Sequence, residues 1–140
     1  MLSRELIRKI YVRWESKVKK KILVVDDNPS ILRTLKEGLE EDSGEYEIFV
    51  VESGSECITF LQAGNIPDLI LLDVMMPGMS GWDTASEIRK KPEWNNIVIL
   101  FISAWQAPLL KLQNFNFDYM SKPFEIPALK EKIEQLLKNK

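Results

Sequence analysis

The strongest constraint on the fold is a series of short apolar runs, separated by segments with helical spacing. Residues 22–25 are fully apolar and branched and end in Asp26 and Asp27, a pattern typical of a strand buried on both faces. Strands are predicted over residues 21–25, 46–51, 68–73, 97–102 and 118–120. Helices are predicted after the caps Asn28 and Ser53, as far as residues 43 and 64, and over 82–90 and 126–138. Because alternating strands and helices form right-handed parallel crossovers, we expect an α/β fold with a doubly wound, five-stranded parallel sheet covered by helices on both faces.

Polar side chains follow four of the five predicted strands: Asp26 and Asp27, Asp73, Ser103, and Lys122. We expect these groups to converge, because ligands of such sheets bind outside the carboxyl ends of the strands. Converging carboxylates repel one another, and a bound divalent cation relieves that repulsion. Mg²⁺ suits carboxylates combined with a carbonyl from the loop after Asp73. A hydroxyl and an ammonium opposite would face phosphoryl oxygens, so the pattern predicts phosphoryl transfer to an aspartate.

The composition narrows the chemistry further. The 140 residues include no His, which removes the commonest general base and the usual zinc or iron ligand. Cys57 is the only cysteine and lies in an apolar-periodic segment, so we expect a buried thiol and a reducing, cytoplasmic compartment. No apolar run approaches the roughly 20 residues that a membrane span requires. One compact globular domain is the expected organisation.

Four segments resemble the receiver domain of two-component response regulators, over residues 21–140. They are 22–27, 71–77 with Gly81, 103–104, and 121–124, in that order. The resemblance implies a flavodoxin-like fold in which Asp73 accepts a phosphoryl group from a histidine kinase or phosphotransfer protein. It also implies that Asp26, Asp27, Asp73 and the Met75 backbone carbonyl bind Mg²⁺ or Mn²⁺.

The resemblance assigns further roles around this site. Lys122 and Ser103 would assist the transfer, Ser103 and Tyr119 would form the switch, and Pro123 would follow a cis peptide bond. Lys122 follows Ser103 by only nineteen residues, fewer than is usual in the family. We therefore expect the fourth receiver helix, within residues 104–115, to be short.

Residues 1–20 form an extension that the family resemblance does not cover. Apolar residues recur at three- and four-residue steps and predict a helix with an apolar stripe and a basic back. They are Leu6, Ile7, Ile10, Tyr11, Trp14 and Val18. Residues 1–21 carry a net charge of +6 and residues 22–140 a net charge of −8. The stripe is expected to pack on its own receiver or on another copy, to bind a partner helix, or to meet a membrane surface or nucleic acid.

The leading functional hypothesis is a stand-alone phospho-accepting receiver in a phosphorelay, which is not a turnover enzyme and acts by changing its binding to a downstream protein. A homodimer through the N-terminal helix is one option, and the acidic body argues against nucleic acid as the main ligand. One alternative is a magnesium-dependent aspartyl-phosphate phosphohydrolase. Such enzymes carry an Asp-x-Asp motif at the nucleophile, whereas here Met75 occupies the position of the second aspartate. The other is a receiver-like interaction module that is never phosphorylated.

Overall fold

The computed structural model describes residues 2–41, 44–104 and 118–138, and the side chains within them apart from those of residues 11–17. The helices and strands are α1 (Arg4–Lys17), β1 (Lys20–Val25), α2 (Pro29–Glu40), β2 (Tyr46–Val51), α3 (Gly54–Gln62), β3 (Leu69–Asp73), α4 (Gly81–Arg89), β4 (Val98–Ser103), β5 (Asp118–Ser121) and α5 (Ile126–Lys138). A short 3₁₀ helix, Pro92–Trp94, precedes β4 and was not predicted from the sequence.

The five described strands form one parallel sheet in the order β2-β1-β3-β4-β5. The chain therefore moves outward from β1 to β2 and then returns past β1 to β3. The strand order reverses between β1 and β3, which is where a doubly wound sheet opens a crevice for ligands. This topology confirms the predicted α/β fold.

Helices cover both faces of the sheet because successive strand side chains point to opposite sides. In β1, Leu23 and Val25 face one apolar cluster, whereas Ile22 and Val24 face the other. The first cluster is completed from α3 and α4 and the second from α2 and α5. The side chains of residues 22–25 and 69–72 are fully buried. After the two exposed lysines that begin β1, neither β1 nor β3 has a solvent-exposed side before its carboxyl end.

Two helices that start near those carboxyl ends have well-defined caps. The Asn28 side chain accepts hydrogen bonds from the backbone N–H groups of Ser30 and Ile31, and Pro29 occupies the first turn of α2. Ser80 and Asp83 form a reciprocal capping box at the start of α4. The caps thereby fix the first turns of α2 and α4 near the carboxyl ends of β1 and β3.

Arg89 closes the connection between α4 and β4. Its half-buried guanidinium donates hydrogen bonds to the carbonyl oxygens of Trp94 at 3.1 Å, Asn95 at 3.4 Å and Ile97 at 2.7 Å. Burial lowers the pKa of Arg89. One side chain thus holds together the turn that leads into β4.

Helix α1 confirms the predicted N-terminal helix. Within the described residues, no helix is both long enough and apolar enough to cross a membrane. The short helix expected within residues 104–115 lies outside the described residues, apart from residue 104.

Candidate functional site

The pairing of the strands brings the predicted site residues to one edge of the sheet. Val25 pairs with Leu72, so Asp26 at the end of β1 lies beside Asp73 at the end of β3. Ser103 ends β4 and pairs with Ser121, and Lys122 follows directly. Four strands therefore deliver their polar ends to the same place.

Three carboxylates form the centre of this site. One oxygen each from Asp26, Asp27 and Asp73 can be chosen so that all lie within 4.8 Å of one another. Asp26 and Asp73 are only 1% and 6% exposed, whereas Asp27 is exposed. Buried carboxylates at this spacing repel one another, and oxygen donors so arranged suit a hard divalent cation.

Asp26 has a hydrogen-bond partner for each of its carboxylate oxygens. Its Oδ1 accepts a hydrogen bond from the Asn28 backbone N–H at 2.9 Å. Its Oδ2 lies 2.9 Å from the ammonium of Lys122, which is 19% exposed. The same ammonium is 3.9 Å from Asp73 Oδ1, so Lys122 forms its closer ion pair with Asp26. One positive charge thus offsets part of the repulsion in the cluster.

Asp73 is less well compensated than Asp26. Its pKa is raised from 3.8 to about 6, first by burial and then by the charge of Asp26. Lys122 and a 3.4 Å hydrogen bond from the Met75 backbone N–H to Oδ1 oppose the shift without cancelling it. A carboxylate with a raised pKa at the mouth of a cleft is a typical feature of a functional site.

Ser103 connects the site to Tyr119 and to the turn after β5. The Ser103 side chain is 1% exposed, and its backbone carbonyl accepts two hydrogen bonds. The Lys122 backbone N–H donates one at 2.9 Å, and the half-buried Tyr119 hydroxyl donates the other at 3.3 Å. The Lys122–Pro123 peptide bond is cis. The end of β4 and the position of Lys122 are therefore coupled through one carbonyl.

An open depression of about 410 Å³ lies over these residues. Asp73, Met75, Ser103, Ala104 and Lys122 line it. The Met75 side chain is 63% exposed at its edge. The depression gives a ligand access to Asp73 while Asp26 remains covered.

Gly81 fixes the backbone directly behind Asp73. Its N–H donates to the Val74 carbonyl at 2.9 Å, and a Cβ at this position would lie 2.3 Å from the Asp73 carbonyl oxygen. Real Cβ atoms do not approach a backbone oxygen this closely, so only glycine lets α4 start here without a backbone shift. The sequence motif contains Gly81 but does not reveal this close approach, and Asn28 was predicted only as a helix cap. Asn28 lies two residues after Asp26, and that spacing was the available signal for the hydrogen bond from its backbone N–H to the Asp26 carboxylate.

Comparisons with known proteins agree with the fold. The model of the response regulator receiver domain family matches residues 22–134. The chain is 34% identical over 122 residues to a probable cyclic di-GMP phosphodiesterase of Vibrio cholerae, covering 85% of this chain and 27% of that protein. It is 38% identical over 120 residues to the transcriptional regulatory protein YvrH of Bacillus subtilis, covering 84% of this chain and 48% of that protein.

A solved structure shows the same similarity. The N-terminal domain of a response regulator receiver protein from Methanoculleus marisnigri is 37% identical, with a TM-score of 0.67, and the match covers 84% of this chain and 95% of that chain. By contrast, the chain spans less than half the length of the two curated relatives above. Their shared part is the receiver, and the activities in their names concern proteins of greater length.

Proposed function

We propose that this chain, which belongs to the response regulator receiver domain family, accepts a phosphoryl group on Asp73. Receiver domains are signalling modules that interact with histidine kinases or phosphotransfer proteins, so the donor would be a phosphohistidine. The observation that carries the proposal is the setting of Asp73, with a raised pKa, in an open depression next to Lys122 and Ser103. We assign residues 21–140 to the receiver and residues 1–20 to a separate extension.

In the proposed reaction, an oxygen of the Asp73 carboxylate attacks the phosphorus of the phosphohistidine. The O–P bond forms as the P–N bond breaks, and the electron pair of the broken bond stays on the imidazole, which takes up a proton. The Lys122 ammonium and the Ser103 hydroxyl would face the other phosphoryl oxygens and stabilise their charge. The product is an acyl phosphate on Asp73.

The carboxylate cluster fits a divalent cation by the chemistry of its donors. Receiver domains bind Mg²⁺ at an acidic pocket, and hard oxygen donors within 4.8 Å of one another are what Mg²⁺ prefers. We propose that Asp26, Asp27, Asp73 and the Met75 backbone carbonyl hold Mg²⁺ or Mn²⁺. When bound, the cation neutralises charge on the carboxylates and on the incoming phosphoryl oxygens.

Ser103 and Tyr119 form the proposed switch. The support is the hydrogen bond from the Tyr119 hydroxyl to the Ser103 carbonyl, because movement of Ser103 toward a phosphoryl group would strain or break it. The Lys122 N–H shares that carbonyl, so the same movement would reach the turn after β5. The response we propose is altered binding of a downstream protein and not turnover of an external substrate.

The phosphohydrolase alternative has less support. Met75, the second residue after Asp73, is an exposed thioether and cannot act as a general acid. The other carboxylates beside Asp73, those of Asp26 and Asp27, belong to the proposed metal site and do not line the depression. The buried, free thiol of Cys57 supports our proposal of the cytoplasm as the compartment.

Mass spectrometry of the full chain tests the proposal. With acetyl phosphate or phosphoramidate and Mg²⁺, we expect one added phosphoryl group, located on Asp73. The Asp73→Asn variant should not gain the phosphoryl group. The control Asp118→Asn, at the first residue of β5 and away from the carboxyl ends of the strands, should still gain it. Unchanged modification in Asp73→Asn would overturn the assignment. Rapid release of inorganic phosphate from many equivalents of donor would instead favour the phosphohydrolase.

A further inference from the structure

Helix α1 presents large apolar side chains to solvent. Leu6, Ile7 and Ile10, which we call the N-terminal stripe, are 43%, 45% and 51% exposed, and Leu2 before the helix is 58% exposed. A helix of 14 residues is marginal in water without a surface to pack on. The stripe therefore requires a partner if α1 is to remain helical.

The charge on α1 limits what that partner can be. Residues 1–21 carry a net charge of +6. Among the described side chains, none forms an ion pair with Arg4, Arg8 or Lys9, which lie around the stripe. A partner that is both apolar and anionic would match the stripe and the charge of α1 together.

Two apolar grooves among the described residues do not match these features. A groove of about 490 Å³ between α2 and the start of α5 carries one ammonium, Lys122, and one carboxylate, Glu125. A second groove of about 350 Å³ is lined by Val18 and Lys20 of the extension itself. The body contributes two carboxylates, Glu45 and Glu134, and one ammonium, Lys138, to it. The body therefore offers no net charge in the first groove and a net charge of only −1 in the second, against +6 on residues 1–21. Pairing of two α1 helices would bring two basic segments together, which is also unfavourable.

We propose that α1 binds the surface of a bilayer that contains anionic lipids. The N-terminal stripe would enter the boundary between headgroups and acyl chains, and the arginine and lysine side chains beside it would meet the lipid phosphates. The body, with its net charge of −8, is repelled by the same surface. Contact is therefore limited to α1, and the carboxylate site stays in water.

Co-sedimentation of the full chain with vesicles tests this proposal. We expect binding to vesicles of equal parts phosphatidylcholine and phosphatidylglycerol, and little binding to phosphatidylcholine alone. Leu6→Glu should weaken the binding by about tenfold or more, because it removes buried apolar area and adds a repelled charge. Ile66→Glu is the matched control: it makes the same change in charge at a side chain of similar exposure, 46%, on the body, and should bind nearly as wild type does.

A second pair of variants separates charge from apolar contact. Arg8→Gln should weaken binding by about fivefold, whereas Lys91→Gln, an exposed lysine on the body, should have much less effect. Added NaCl should weaken the binding of wild type more than that of Arg8→Gln. Phosphorylation of Leu6→Glu by acetyl phosphate shows that its receiver body is folded.

Several results would overturn the proposal. Wild type that fails to bind anionic vesicles, or that binds neutral vesicles equally well, contradicts it. So does a Leu6→Glu variant that binds as tightly as Ile66→Glu. A wild-type dimer by light scattering that becomes monomeric in Leu6→Glu would show instead that a second copy covers the N-terminal stripe.

Discussion

Lys122 Nζ lies 2.9 Å from Asp26 Oδ2, and this ion pair joins the ends of β1 and β5 across the width of the site. Asp26 is 1% exposed and Lys122 is 19% exposed. Removal of one partner from a buried pair leaves an uncompensated charge, which costs more than the pair contributes. Lys122 therefore stabilises the fold in addition to its proposed role toward the phosphoryl group.

Replacement of Lys122 by an uncharged residue tests this dependence. We expect Lys122→Met to lower the free energy of unfolding by about 3 kcal/mol in buffer with EDTA. Mg²⁺ should restore part of that loss, because a cation at the carboxylates replaces the missing positive charge. Urea unfolding followed by circular dichroism measures both effects. Lys132→Met is the control, since its 3.5 Å ion pair with Asp118 is more exposed and should contribute less than about 1 kcal/mol.

The raised pKa of Asp73 predicts a pH-dependent stability difference. The shift from 3.8 to about 6 means that the folded state holds this proton more tightly than the unfolded state does. Ionisation of Asp73 therefore lowers stability as the pH rises from about 4 to about 6. Without metal, Asp73→Asn should raise the free energy of unfolding by about 2 kcal/mol near neutral pH, and this gain should nearly disappear at about pH 4.

Urea titrations of both proteins across that pH range, in buffer with EDTA, measure the difference. Mg²⁺ should reduce the gain at neutral pH, because only wild type retains all three carboxylates. If Asp73→Asn were less stable than wild type at neutral pH without metal, burial and the charge of Asp26 could not be the cause of the raised pKa of Asp73.

The contact between Gly81 and the Asp73 backbone predicts a coupled loss of stability and reactivity. In Gly81→Ala, the added Cβ would be 2.3 Å from the Asp73 carbonyl oxygen, so α4 or the end of β3 must move. We expect the free energy of unfolding to fall by about 2 kcal/mol or more and phosphorylation by acetyl phosphate to be slower.

Gly38→Ala is the matched control for this prediction. Its Cβ would lie 3.0–3.3 Å from the Ile126 side chain, which must shift by a few tenths of an ångström, but from no backbone atom, and alanine is the better helix former. We expect little change in stability and a normal phosphorylation rate. Equal effects of the two substitutions would show that the close approach at Gly81 is unimportant.

The three carbonyl contacts of Arg89 predict that lysine cannot replace it. Arg89→Lys retains the positive charge but loses the planar guanidinium that reaches the Trp94, Asn95 and Ile97 carbonyls together. We expect the free energy of unfolding to fall by about 2 kcal/mol, as measured by urea unfolding. Arg33→Lys, at an exposed position of α2, should change stability by less than about 0.5 kcal/mol.

The sequence predicted the order and type of the strands and helices because apolar spacing is a local signal. The predicted limits of β2 and α5 agree with the structure, whereas β4 is Val98–Ser103 instead of 97–102. Contacts that depend on the exact placement of side chains and backbone were not predictable in this way, whether their partners are near or far in the chain. The preference of Lys122 for Asp26 over Asp73, the Arg89 contacts and the tight fit of Gly81 depend on side-chain positions across the fold. Local spacing carries no information about them.

The ion pair between Asp26 and Lys122 joins residues that are 96 positions apart in the chain. During synthesis, a nascent chain that extends only through β3 already carries Asp26, Asp27 and Asp73 but no Lys122. Mutual repulsion of the carboxylates then opposes close pairing of β1 with β3 until the ribosome has released β5 and the lysine that follows it. Mg²⁺ held by the three carboxylates would offset this repulsion in the unfinished chain before the lysine is available.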